Sequence, residues 1–122
     1  GLIAVRVDES LYFANSDALL DRVEELVAAQ PDTRHVLLVC SAINQIDTTA
    51  LGVLTDLERS LAQRGAALLM SEVKGPVLDR LRGTGLGQRL GGRIFLSTHA
   101  AFEYARRAGS MVGRYGDPAA AI

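Results

Sequence analysis

Apolar and polar positions change their period several times along this chain. Leu2 to Asp8, LIAVRVD, is β-branched and partly alternating, which predicts a strand. Asp8-Glu9-Ser10 reads as a turn, and Leu11–Ala14 (LYFA) as a short second strand, paired with the first in a hairpin. The period then lengthens. Leu19, Val23 and Leu26, with Leu20 and Val27, form one apolar helical stripe. Asn15 or Ser16 is placed to cap this helix, Asp17 suits its positive first turn, and Pro31 marks its end.

The next run, HVLLVC (His35–Cys40), has no polar face and predicts a strand covered on both sides. A second helix begins at about Thr48. Leu51, Leu54, Leu57 and Leu61 stripe it, and Gly65 stops it. AALLMS (Ala66–Ser71) is a second fully covered strand. KGPVLDRLRGTG follows as a short helix, with Pro76 suited to its first position and Gly83 or Gly85 at the end. RIFLS predicts a last short strand. Ser97 or Thr98 caps a closing helix with Ala101, Phe102 and Ala105 inward.

Strands alternating with helices define an α/β domain. The expected architecture is a mixed, mostly parallel sheet of four to five strands with about four helices. Residues 1–108 form the domain. Residues 109–122, rich in glycine and without apolar period, are expected to be a flexible tail.

Charge adds an asymmetry. The 122 residues carry 13 Lys/Arg and 14 Asp/Glu, so attraction of the whole molecule to nucleic acid is not expected. Residues 1–61 hold four basic and ten acidic side chains, whereas residues 62–122 hold nine and four. Lys74, Arg80, Arg82, Arg89 and Arg93 make the second half a candidate basic surface for an acidic partner or lipid headgroups. Cys40 is a single cysteine in an apolar run, read as a small buried hydrophobe in a reducing compartment. No apolar run approaches the ~20 residues of a membrane span, and no signal peptide is present. A chain that starts without Met and at once with a strand is expected to be cut from a longer protein.

Catalytic chemistry has little support. His35 precedes a strand and His99 opens a helix; neither has metal or triad spacing, and both read as surface or edge residues. GTGLGQ fails as a dinucleotide loop, because its sixth position is Gln88 and it closes a helix; its glycines read as chain reversals. Phosphate-loop, nucleophile-elbow and HExxH patterns are missing, so the chain is read as a non-enzyme with neither metal nor resident cofactor.

NQIDTTALGVL (Asn44–Leu54) is the exception. It lies at the carboxyl end of a strand, where such sheets hold ligands, and it opens a helix whose N-terminus is partly positive. Asp47 as N-cap accounts for one polar residue. Thr48 and Thr49 remain, two hydroxyls in succession. The loop is a candidate site for a protein partner, for a nucleotide, or for phosphorylation at Thr48.

Asp47-Thr48-Thr49-Ala50-Leu51 resembles the Asp-Ser-Ser-Gly-Leu loop of the STAS domain, shared by anti-sigma factor antagonists and the cytoplasmic tails of SulP-type anion transporters. Leu11–Val23 and Glu72–Leu86 look like the transporter branch, and the likeness spans residues 2–107. In antagonists the first hydroxyl is phosphorylated, which maps onto Thr48. Ala50 stands where they carry Gly, and its methyl is expected to narrow a partner's approach. The resemblance implies a STAS fold and a regulatory domain of a sulfate-type transporter at the inner face of the membrane. It would dock to the transmembrane domain, a regulatory protein or a second copy of itself, with Asp47, Thr48, Thr49 and Leu51 as contacts and Lys74, Arg80 and Arg82 as a basic surface. The alternative it implies is a free-standing antagonist switched at Thr48.

Overall fold

The computed structural model describes residues 1–8, 13–110 and 120–121. Three strands form where the sequence is most apolar: β1 (Leu2–Arg6), β2 (His35–Val39) and β3 (Ala67–Ser71). The short strands β4 (Ile94–Phe95) and β5 (Ala120–Ala121) add to the edges, giving the order β4-β3-β2-β1-β5. Between and after them lie α1 (Phe13–Ala29), α2 (Thr48–Gln63), α3 (Gly75–Leu81), α4 (Gly85–Leu90) and α5 (Thr98–Arg107).

Register explains the layers. Ile3, Val36 and Leu68 pair across the sheet, as do Val5, Leu38 and Met70. These six point to one face and join residues of α1 to α4 in the main core. Ala4, Leu37 and Leu69, one position along, point to the other face. There, with Val39, they meet Ala101, Phe102 and Ala105 of α5. β2 sits in the middle and is buried throughout, as a strand covered on both faces must be.

The α/β class and the four- to five-stranded, mostly parallel sheet agree with the sequence reading, but three details differ. The opening hairpin does not form from Phe13 and Ala14, which belong to α1; Leu11 and Tyr12 lie outside the described residues. All described pairings are parallel. A four-residue apolar run suits either state, and here its last two residues begin the longer helix.

The second difference is α4, a fifth helix. Gly83, at φ 79°, ends α3 and makes the reversal expected of it. Gly85 and Gly87 instead lie inside α4, capped by the Thr84 hydroxyl, which accepts from the Gly87 N–H at 3.1 Å. A Cβ on Gly87 would stand 2.2 Å from the Leu81 carbonyl oxygen, so glycine is needed there for α4 to lie against the end of α3.

The third is His35, which is buried rather than at the surface. Its Nδ1 hydrogen-bonds the Ser110 hydroxyl, and its ring meets Tyr104 edge-on at 6.0 Å. Within the expected tail of 109–122, Ser110 is buried and Ala120–Ala121 pairs with β1; residues 111–119 and 122 lie outside the described residues.

Candidate functional site

The loop after β2 is held from below. The Cys40 N–H donates to the Ser71 carbonyl at 2.9 Å, and the Ile43 N–H to the Cys40 carbonyl at 3.0 Å. Ile43 and Ile46 are buried, so the polar residues between and after them project from the carboxyl edge of the sheet.

Asp47 is the N-cap of α2. Its backbone is extended, and its Oδ1 accepts from the Ala50 N–H at 2.8 Å. Thr48 and Thr49 are exposed in the first turn. Arg80 of α3 reaches across and donates from Nη2 to the Thr48 hydroxyl at 3.2 Å. Lys74, just before α3, donates from Nζ to Asn44 Oδ1 at 2.6 Å. Between the two segments lies a groove of about 340 Å³, lined by Asn44, Gln45, Ile46, Asp47, Pro76 and Arg80. One cation, Arg80, and the positive end of a sixteen-residue helix thus meet at the exposed Thr48 hydroxyl, while Lys74 is held on Asn44.

Asp47, Thr48, Lys74 and Arg80 come together as a site, with Thr49 exposed beside them. The other candidates part from it. Leu51 is half-buried and packs against the main core, which leaves it little to offer a visitor. Arg82 pairs with Asp79 at 3.7 Å and lines a different groove, between α3, α4 and β4. Arg89 binds the buried Glu58 carboxylate of α2. Arg93 is turned onto the carbonyls of Leu90 and Arg89 at the end of α4. Arg80, Arg89 and Arg93 thus each serve a local hydrogen bond, while Arg82 stays open to water.

Ala50 corrects a further expectation. It is fully buried, so its methyl points into the core and does not narrow the approach of a partner. Asn44, Gln45 and Pro76 were missed. The place of the first two, just ahead of the capping Asp47, was the available signal; Pro76 needed the tertiary fold.

Elsewhere the titratable groups serve the interior. Burial pushes the Cys40 thiol up to about 12, and it donates to the Leu38 carbonyl at 3.3 Å, so it stays a neutral, unreactive thiol. His35 is held below its usual value, first by burial, then by Arg34, the Gly1 amino group and Arg93. Among the described residues, no group of three or more His, Cys, Asp or Glu is placed to hold a metal ion.

A parallel sheet flanked by helices on both faces defines a domain of the α/β class. The STAS domain sequence model matches residues 1–101, and the chain belongs to that family. Among its curated relatives is Sulfate transporter 1.3 of Arabidopsis thaliana, 29% identical over 113 residues. Another is the "Probable sulfate transporter Rv1739c" of Mycobacterium tuberculosis, 30% identical over 109 residues. These matches cover 84% and 88% of this chain but only 17% and 20% of the two relatives. The chain thus spans about a fifth or less of their length.

Solved structures agree in fold. The STAS domain of a SulP transporter from Vibrio cholerae superimposes with a TM-score of 0.73 at 21% identity, covering 88% of this chain and 82% of that one. The murine anion transporter Slc26a9 gives 0.79 at 21% identity, covering 88% of this chain and 18% of its own. Among the described residues of the present chain, no helix is long and apolar enough to cross a membrane.

Proposed function

We propose that this chain is the non-catalytic regulatory domain of a SulP-type anion transporter, working from the cytoplasmic face of the membrane. It docks through the N-terminus of α2 to the transmembrane domain or to a regulatory protein. The observation that carries this reading is the exposed Thr48 hydroxyl at the capped helix end, in contact with Arg80. Support for the cargo class comes from the relatives, which are sulfate transporters. The free-standing antagonist is not favoured, because those relatives are named as sulfate transporters and the matched part is a fifth or less of their length.

The site suits control by charge. A phosphoryl group on Thr48 would bring roughly −1.5 to −2 charges to a helix N-terminus, where backbone N–H groups and dipole favour an anion. Arg80 is positioned to take it in a charge-assisted pair, which offsets repulsion from Asp47. A nucleotide phosphate would meet the same groups. The fold need not change for the exposed surface to change sign.

The test uses the full-length gene product. Thr48→Asp should alter sulfate uptake several-fold while membrane abundance stays constant, and Thr48→Ser should leave uptake near the starting level. Uptake indifferent to Thr48→Asp, to Arg80→Glu and to removal of the domain would end this reading.

A further inference from the structure

β4 is an outer strand of the sheet. In its parallel register the Arg93 carbonyl accepts from the Met70 N–H and the Phe95 carbonyl from the Glu72 N–H, each at 3.0 Å. Backbone groups alternate sides along a strand, so the N–H and C=O of Ile94 and the N–H of Leu96 face away from β3. Beside this edge runs a groove of about 440 Å³ whose walls include Leu78, Leu81, Ile94, Phe95 and Leu96. Leu96 stands at its lip 93% exposed, an unusual setting for a large apolar side chain.

Charge indicates what would cover this edge. Among the described residues that line the groove, Arg82 is the charged one. Arg82 lines the groove with its side chain 71% exposed, and its partner Asp79 is equally open to water. Two copies meeting edge to edge would bring their Arg82 side chains toward one another, which like-charge repulsion opposes. The chain's own residues Ala120–Ala121 pair with β1, at the opposite edge of the sheet.

We propose that the β4 edge receives an extended segment of a partner protein with acidic and apolar residues at alternate positions. The segment pairs with the Ile94–Leu96 backbone, seats apolar side chains in the groove and turns its carboxylates toward Arg82. Strand addition of this kind draws affinity from main-chain hydrogen bonds and specificity from alternate side chains. This site is separate from the α2 N-terminus, and the proposal does not rest on the reading of that loop.

The test titrates the isotopically labelled 122-residue chain with a short, end-blocked peptide of alternating glutamate and valine. A lysine–valine peptide and phosphatidylserine vesicles serve as comparisons. Amide signals of Ile94 and Leu96 should shift, salt should weaken binding, and Leu96→Ala and Arg82→Glu should each weaken it about tenfold. Leu96 is so exposed that its truncation leaves the fold intact, which a spectrum of the free variant verifies. No binding at about 1 mM peptide, equal binding of the lysine peptide, or shifts confined to Asn44–Leu51 would overturn the proposal. Preference for the vesicles, lost in Leu96→Ala, would overturn it in favour of a membrane contact.

Discussion

Glu58 shows how much a single side chain can decide. Its carboxylate is 5% exposed on α2 and is met by Arg89 of α4, whose side chain is 42% exposed. Removing the arginine strands a buried acceptor, whereas replacing both partners with apolar groups need not. Arg89→Ala should therefore lower unfolding free energy by about 2 kcal/mol. The double variant Glu58→Leu/Arg89→Leu should recover part of that loss in urea denaturation. His35 makes a second residue-scale prediction. Its folded-state pKa lies below the ordinary 6.5, so below that value the unfolded chain takes the proton more readily. Stability from this source is complete above 6.5 and is lost as pH falls from 6.5 through the lowered folded value. Urea midpoints at about pH 7.5 and about pH 5.5 should differ less in His35→Asn than in the native chain. Neither residue announced itself in the sequence: Glu58 lies between Asp56 and Arg59 on α2, and His35 stands at the mouth of an apolar run. Burial of each is set by what packs over it, Arg89 in one case, Tyr104 and Ser110 in the other.

Among elements, those with long, clean periods were legible. Pro31 and Gly65 placed the ends of α1 and α2 closely, and Ser97 and Asp47 cap the helices they were expected to cap. Short elements were legible only where a turn signal marked them, as Pro76 does for α3, because a few residues do not fix a period. Leu11–Ala14 could be strand or helix, and α4 contains two glycines that helix propensity argues against. What holds α4 is tertiary: Leu86 and Leu90 are buried in the main core, and Gly87 lies against the Leu81 carbonyl. Gly87→Ala should thus cost about 1–3 kcal/mol and speed amide exchange across α4. Gly85→Ala, where a Cβ meets nothing within 4 Å, should be neutral or slightly stabilising. Equal effects of the two substitutions would contradict this account of the α3–α4 turn.

For the whole molecule, the sheet is a platform with unequal faces. Four helices pack on one side and α5 alone on the other, while the polar residues with most to offer a partner gather at the carboxyl edge. Asp47, Thr48 and Thr49 were legible from their place between a strand and a helix. The groove that completes the site was not, because Arg80 and Pro76 come from a helix some thirty residues away. The most direct test of docking through this edge is hydrogen exchange at Thr48 and Thr49, compared between the 122-residue chain and the full-length protein in its membrane. These first-turn amides lack intrahelical acceptors and exchange fast unless something covers them. Docking predicts slower exchange there in the full-length protein. Rates unchanged at Thr48 and Thr49, with slowing on another surface, would contradict it.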